Sequence, residues 1–500
     1  MLDHAAPRTL GELLALRAVT HADRPAVCDE VVALSYAELA GRARAVARLL
    51  SARGVRPGDR VVVQGRNEVT WVVAAYGVLL AGGTVVPLGA RVTEQERSTL
   101  IDQLIPRLAV IGHGVAVPDT EDLDCLTFTE LEAVAPCAGA GVATDAWVDP
   151  GDQAIVICSS GTSGRLKAVP MAHWQLLRMY DDTRLVLGCR EDDVWAGVVP
   201  VSHSFGFNGV LLVAFLAGAS VRLVPDYRRD ALAALVAAGE VTVLAGPPAI
   251  YHDLAEQLDA PAPRLRVGIV GSTEVSATEM VALARTLGVP RFVTGYGMTE
   301  TCGTVAIGDL DPTTEDPTPW MPLMPGVEAR ICDSSGAELP AGTAGRILVR
   351  GYNLTRPYAA APDLLPGGWF DTGDVGQVDA AGRLAVTGRV DDMVIVSGFN
   401  VHPSEVEAVL REHPGVAQVG VVGTRDPRTG HRLAACIVPT DPLDPPDREA
   451  VRAWVRDRLS PYKVPSEVVL LDELPATATG KLSRVALRQT VTGAQSASTR

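Results

Sequence analysis

Apolar positions in the first part of the chain alternate between helical and extended spacing. Leu39, Ala43, Val46 and Leu50 form one stripe at helical spacing, Arg42, Arg44 and Arg48 face away from it, and Gly54 and Pro57-Gly58-Asp59 end it. The spacing predicts strand, helix, turn and strand from Leu34 to Val63. Asn67 to Leu88 repeats the scheme as helix, Gly82-Gly83 and strand. Trp71 to Leu88 carries no charge and approaches membrane length, but Gly82-Gly83 and Pro87 break it, so a buried helix, a turn and a buried strand are expected rather than a membrane span. Leu211 to Val224 echoes the scheme through Ala217-Gly218-Ala219. Alternating helices and short apolar strands predict an α/β fold with mainly parallel sheets. The echo suggests two similar subdomains, although generic β-α-β grammar also produces it.

Several strands end in small or hydroxyl residues. Ala154-Ile155-Val156-Ile157 leads into Ser159-Ser160-Gly161-Thr162-Ser163-Gly164-Arg165-Leu166-Lys167. Backbone amides and hydroxyls can turn toward an anion there, glycines let the backbone come close, and Lys167 adds a mobile positive charge. This predicts a phosphate-holding loop, with a flexible surface loop as the plain alternative. Lys167 lies three residues past Gly164, which excludes the Walker pattern. Val198 to Val201 reads as an apolar strand running into Ser202, His203 and aromatics, where His203 either lines a ligand pocket or is a hydrogen-bonded core histidine. Val267-Gly268-Ile269-Val270-Gly271-Ser272-Thr273 and Phe292-Val293-Thr294-Gly295-Tyr296-Gly297-Met298-Thr299-Glu300 follow the same rule. Ligands bind beyond the carboxyl ends of strands in open α/β sheets, so these loops can converge on one crevice. Gly295 and Gly297 lack the third glycine of the dinucleotide fingerprint.

Gly367 to Asp374 places a carboxylate in a glycine-rich turn, and Gly388-Arg389-Val390-Asp391-Asp392 precedes another apolar run. Beyond Asp392 the pattern is that of a compact α+β module of about 100 residues. Its expected elements are a helix near 403–411, strands near 417–422 and 433–438, a helix near 448–459 and a strand near 467–471. It closes with the loop Pro475 to Lys481, a short basic helix and a polar tail after Thr490 that is expected to be disordered.

A length of 500 residues with 47% hydrophobic content predicts two or three domains with a large core. The net charge of −15 argues against a broad electrostatic grip on nucleic acid or an anionic membrane, so any polyanion must be met locally. Eight scattered cysteines, without a C-x-x-C pair or zinc-site histidines, read as reduced core thiols. With a start that lacks an apolar leader, they predict a cytoplasmic protein. The basic residues are almost all arginine: Lys167, Lys463 and Lys481 are the only lysines, which marks each for work a guanidinium cannot do.

Five such stretches, in this order and with a lysine in the last, resemble the adenylate-forming superfamily of acyl-CoA synthetases, peptide-synthetase adenylation domains and firefly luciferase. The similarity runs from about Leu34 to Arg488. It implies a large N-terminal AMP-binding domain over 1–391, with parallel sheets in two similar subdomains plus a small β-barrel-like part. A mobile α+β domain over 392–500 would follow, hinged at Asp391. The resemblance further implies that Ser160 to Lys167 grips the β- and γ-phosphates of ATP, that Gly271, Ser272 and Thr273 flank adenine, and that Tyr296 stacks on it. Thr299 and Glu300 would contact the α-phosphate and hold Mg²⁺, and Asp374, with Arg389 nearby, would bind the ribose hydroxyls. Lys481 would bridge carboxylate and phosphate during adenylation. Gly398, in Val396-Ser397-Gly398-Phe399-Asn400, would flank the pantetheine of coenzyme A, and His203 would stand near the acyl and pantetheine channels.

The expected reaction is activation of a carboxylic acid by ATP to an acyl-adenylate, then transfer to the thiol of CoA. Leu166 and Ala168 depart from the proline and glycine usual around the loop lysine, Arg346 stands where a glutamate is common, and Pro357 replaces a glycine. These departures raise one alternative, an enzyme that mainly thioesterifies an acyl-adenylate supplied by a partner adenylating enzyme; a stand-alone loader of a carrier protein, which uses the same thiol chemistry, and a non-catalytic nucleotide-binding protein are the other two. The resemblance places the acyl pocket at Gly295, Cys302, Gly303 and Thr304, and small residues there imply room for a long or bulky apolar acid.

Overall fold

The computed structural model describes residues 6–92, 94–118, 123–137, 147–160, 166–271, 277–310, 319–355, 364–389, 394–396, 399–401, 403–426, 430–459, 461–476 and 482–498. The chain divides into two compact units, Met1–Glu328 with Arg350–Phe370, and Ala329–Val349 with Asp371–Arg500.

The first unit carries strands β1 (Pro25–Cys28), β2 (Ala33–Ser35), β3 (Arg60–Gly65), β4 (Thr84–Gly89), β5 (Leu108–Ile111), β6 (Asp124–Thr127) and β7 (Gln153–Ser160). They are followed by β8 (Leu166–Ala172), β9 (Val194–Gly197), β10 (Ser220–Leu223), β11 (Val243–Gly246), β12 (Val267–Val270), β13 (Arg291–Met298) and β14 (Gly303–Asp309). Among the described residues they build a six-stranded sheet in the order β6-β5-β3-β4-β7-β8 and an eight-stranded sheet in the order β14-β13-β12-β11-β9-β10-β1-β2. Both have a parallel interior and end on an antiparallel hairpin, β7–β8 in one and β13–β14 in the other. The expectation of mainly parallel sheets in an α/β unit therefore holds, and the echo corresponds to two sheets of related grammar.

Local chemistry accounts for the elements. Helix Tyr36–Ala52 starts at a capping box in which Ser35 and Glu38 satisfy each other's backbone N–H groups, worth about 1 kcal/mol. In helix Val69–Leu80 all residues but Thr70 are buried, and Gly82 takes a positive φ before β4. The uncharged run is thus a core helix and strand, and among the described residues no helix is long and apolar enough to cross a membrane.

Sequence and structure differ at Val198–Val201. The strand is β9, Val194–Gly197, and the chain leaves the sheet before Pro200, which cannot donate to a ladder. The next segment, Phe205–Leu212, is a π-helix running into the α-helix Val213–Ala217, a rare form that recurs at functional sites.

A small sheet in the order β15 (Val327–Cys332), β16 (Gly345–Gly351), β17 (Phe370–Val378) and β18 (Leu384–Arg389) lies almost wholly in the second unit. Strands β19 (Val394–Val396), β20 (Phe399–Val401), β21 (Val416–Asp426), β22 (Gly430–Pro439) and β23 (Glu467–Leu470) form its other sheet. Helices Pro403–Arg411 and Arg448–Arg456 bury Val406, Leu410, Val451 and Val455 against it. The polar tail needs correction. It is not disordered after Thr490: helix Arg484–Ser498 continues through it, because Leu487 and Val491, one turn apart, both enter an apolar cluster with Val422, Ala434 and Cys436. Asp391, the expected hinge, lies outside the described residues.

Candidate active site

In the first unit, the carboxyl ends of the two sheets are stitched by one side chain. Asn67, two residues beyond β3, donates from Nδ2 to the carbonyls of Gly197 (2.8 Å) and Val199 (3.0 Å), and its Oδ1 accepts from Val201 N–H (2.9 Å). It is 6% exposed, and its amide replaces the ladder partners that the chain loses on leaving β9. In each sheet the strand order reverses at this place: β3 lies between β4 and β5, and β9 between β10 and β11. Ligands of open α/β sheets occupy such reversals.

The loop held by Asn67 presents His203, which is exposed, so the core-histidine reading is excluded. Phe205 follows, its ring facing Gly271 just past β12, and Gly271 N–H donates to the carbonyl of Gly246, the last residue of β11 (3.3 Å). The segment after β9 therefore meets the chain leaving β12, two of the stretches that the crevice argument brings together. Ser272 and Thr273 lie outside the described residues.

The β13–β14 hairpin carries Tyr296, half-buried between the exposed Gly295 and Gly297, and then the short 3-10 turn Thr299–Thr301. Four consecutive carbonyls of this turn each accept from a different donor. Thr299 takes Cys302 N–H (3.1 Å), Glu300 takes Thr355 N–H (2.9 Å), Thr301 takes Asn353 Nδ2 (3.2 Å) and Cys302 takes the Tyr180 hydroxyl (3.1 Å). Thr301 Oγ1 also accepts from Met298 N–H (3.1 Å) and lies 2.9 Å from the carbonyls of Met298 and Gly303. Close approach demands glycine at Gly297, where a Cβ would stand 1.7 Å from the Gly303 carbonyl oxygen. The backbone of Thr299 and Glu300 is thus fixed from the strand, the helix His173–Leu187 and the segment after β16, while both side chains remain partly exposed.

The β7–β8 hairpin pairs Cys158 with Ala168, Ser159 with Lys167 and Ser160 with Leu166. Ala168 is fully buried; residues 161–165 lie outside the described ones. In the second unit, Asp374 on β17 is 7% exposed and stands opposite Arg389 on β18 in the antiparallel register. Arg346, which takes the place of the common glutamate, pairs with Asp371. Gly398 and Ser397 lie outside the described residues; on either side of them Val396 pairs with Phe399 and Ile395 with Asn400. Lys481 lies in 477–481, outside the described residues, but the flanks of that loop are joined by an Ala476–Leu482 bridge and by Ser483 N–H to the Pro475 carbonyl (2.7 Å). Just beyond it, Arg484 pairs with the buried Glu407 (2.6 and 3.1 Å), which also accepts from Val421 N–H (2.7 Å).

All eight cysteines are free thiols. Burial pushes Cys158, Cys189, Cys302 and Cys436 up to about 12, which keeps them protonated and unreactive. Among the described residues no three His, Cys, Asp or Glu side chains gather as a metal cage. Magnesium that travels with a nucleotide needs only one or two carboxylates beside the phosphates, and Glu300, on its fixed turn, fits that donor chemistry. Asn67, Tyr180, Asn353 and Thr355 were not singled out by sequence pattern. Asn67 could have been found as the polar residue opening the repeated helix; Tyr180, in Arg178-Met179-Tyr180-Asp181-Asp182, follows no motif and gives no signal.

The sequence profile of AMP-binding enzymes matches residues 14–359, and that of the AMP-binding enzyme C-terminal domain matches residues 405–481. A methyl-dioxo-octahydroindenyl-propanoyl:CoA ligase of Rhodococcus jostii is 32% identical, over 97% of this chain and 99% of the relative. ATP-bound MatB from Rhodopseudomonas palustris superposes with a TM-score of 0.85 at 29% identity, covering 96% of this chain and 98% of that one. O-succinylbenzoate coenzyme A synthetase (MenE) from Bacillus subtilis, in complex with ATP and magnesium ion, superposes with a TM-score of 0.85 at 25% identity, covering 95% of this chain and 99% of that one. With both profiles matched in order and the fold shared end to end, the chain belongs to the AMP-binding enzyme family, in its acyl-CoA synthetase branch, and is an AMP-forming acid–thiol ligase.

Proposed function

We propose that this enzyme activates a bulky apolar carboxylic acid as its acyl-adenylate with ATP and passes the acyl group to the thiol of coenzyme A. The observation that carries the reading is the Thr299–Thr301 turn, whose carbonyls are all occupied so that Thr299 and Glu300 present a fixed hydroxyl and carboxylate beside Tyr296. A carboxylate repels the triphosphate it must attack, so charge at the α-phosphorus has to be met by pre-positioned groups. In this reading Tyr296 stacks on adenine, Asp374 and Arg389 hold the ribose, the 159–167 loop holds the β- and γ-phosphates, and Lys481 bridges acid and phosphate. Glu300 would hold Mg²⁺, which when bound neutralises phosphate charge. Thr299 donates to the α-phosphate, and His203 lines the acyl end.

Because an ammonium over the adenylate blocks a thiol, the two steps need different partners. We assign the first to Lys481 and the second to Gly398, Phe399 and Asn400, exchanged by rotation of the C-terminal domain about Asp391. The relative from R. jostii is named for a fused-ring propanoyl group, which supports a bulky apolar acid. Gly295 and Thr304, beside the buried Cys302, leave room for one, whereas the space at Gly303 is filled by Tyr180.

The test is a panel of acids scored by CoA-dependent AMP release, with free CoA and a holo-carrier protein as competing acceptors. Lys481→Ala is expected to lower adenylation by roughly a hundredfold or more while sparing thioester formation from a presynthesised adenylate. Equal loss of both steps would contradict its role.

One observation favours a second reading. Leu166 opens β8 where the resemblance expects proline, and Ala168 is locked in the β7–β8 ladder opposite Cys158. A loop so altered would grip ATP phosphates less well, and the enzyme would then mainly thioesterify a supplied adenylate. Robust ATP–pyrophosphate exchange with the native acid excludes this.

A further inference from the structure

Of the four donors that occupy the Thr299–Cys302 carbonyls, only two are side chains, Asn353 and Tyr180. Tyr180 stands in the middle of the helix His173–Leu187, 3% exposed, and burial raises its pKa, so its hydroxyl is always a donor. Ser204 and Asn208, at the entrance and in the first turn of the π-helix, lie beside the phenol oxygen. Asn208 is fully buried and its Nδ2 reaches Ser204 Oγ (3.1 Å). The far side is equally closed. Gly303 has a φ of +107°, and a Cβ there would lie 2.0 Å from the Tyr180 oxygen. Cys302 itself adopts a φ of +52°, a left-handed conformation that a side-chain-bearing residue keeps only when its surroundings impose it.

We propose that Tyr180 is a positioning residue for the reaction: its hydroxyl pins the Cys302 carbonyl and so fixes the direction in which Glu300, two residues earlier, presents its carboxylate. Phenylalanine would fill the same apolar space, so packing alone does not require the oxygen. The inference rests on the proposed role of Glu300 toward magnesium, and the experiment separates the two.

The full-length enzyme, Tyr180→Phe and Glu300→Gln are compared by calorimetric titration with ATP in the presence of Mn²⁺ and with ATP in the absence of any divalent ion, together with thermal melting. The expected result for Tyr180→Phe is about a tenfold loss of affinity for Mn²⁺-ATP, the size of one hydrogen bond, with metal-free ATP affinity unchanged. The Mg²⁺ concentration for half-maximal adenylation rises by a similar factor, and thioester formation from presynthesised adenylate stays within about twofold. Equal weakening of both forms of ATP, or no change in either, overturns the inference. If Glu300→Gln keeps the metal-dependent part of ATP binding, the reading of Glu300 falls and takes this inference with it. If Glu300→Gln loses that part and Tyr180→Phe does not, only the inference falls. Should Tyr180→Phe fail to fold, Ser204→Ala, which loosens the phenol without touching the turn, is expected to shift Mn²⁺-ATP affinity about threefold in the same direction, and an unchanged value overturns the proposal.

Discussion

Deleting the Glu407 carboxylate would take the acceptor from the buried Val421 N–H and the shared anion from the Arg484 and Arg411 guanidiniums. With 2% of its side chain exposed, the glutamate cannot be replaced by water, so Glu407→Ala is expected to cost about 3–5 kcal/mol. Urea unfolding of the whole chain, read as the transition of this unit, checks it. His173 makes a different kind of prediction. Its Nδ1 accepts from Leu10 N–H (3.2 Å) and burial depresses its pKa to about 4, so the folded ring stays neutral where an exposed histidine would begin to charge. The unfolded chain therefore binds the extra proton first. The histidine's contribution is complete above about pH 6.5 and is lost as pH falls toward 4, on the order of 3 kcal/mol. His173→Asn, which keeps an acceptor near Nδ1, should flatten the melting temperature between pH 7 and 4; an unchanged slope would contradict the assignment. Neither the Glu407–Arg484 pair nor the His173–Leu10 bond was legible in the sequence, since they join residues 77 and 163 positions apart and follow no local pattern.

At the scale of elements, period and punctuation carried most of the fold. The Leu39–Leu50 stripe, the Gly82-Gly83 turn and the helix Pro403–Arg411 stand where spacing placed them, because each is decided by its own residues and by one apolar face. Two elements escaped for opposite reasons. Val198–Val201 has strand composition but leaves the sheet because Asn67, distant in sequence, takes its backbone groups. The tail has linker composition but remains helical because Leu487 and Val491 find an apolar cluster. The β7–β8 hairpin is the element whose departures bear on chemistry. Leu166→Pro substitutes the first residue of the terminal strand of its sheet, where proline is tolerated. If the altered loop limits adenylation, this change alone should raise pyrophosphate exchange several-fold at unchanged melting temperature. No gain would return the loop's departures to neutrality.

For the whole molecule, the order of motifs made the family readable before any coordinates, and the match of both sequence profiles settles it. The candidate site was legible only in part. Residue types at Tyr296, Thr299 and Glu300 announce phosphate chemistry, whereas what holds them, the Tyr180, Asn353 and Thr355 donors, depends on tertiary approach. The division of labour between half-reactions is a property of the entire chain. Asp374→Ala should raise the KM for ATP by roughly tenfold, as loss of a charge-assisted hydrogen bond pair would, with little change in the rate from a presynthesised adenylate at saturation. A fall in both rates at unchanged KM would place Asp374 in the framework instead of the nucleotide site.

Each sheet of the first unit ends on its own hairpin, and each hairpin carries a stretch marked for phosphate chemistry between its strands, with the terminal strands β8 and β14 paired to β7 and β13, and β14 also bridged from Ala306 to Leu323. Chemistry hung at a margin can be rewritten without re-registering the interior strands. The two tips therefore behave as cassettes: a segment spanning 159–167 from a vigorous adenylating relative could be transplanted between flanking strands that remain native, and the recipient would still know how to fold.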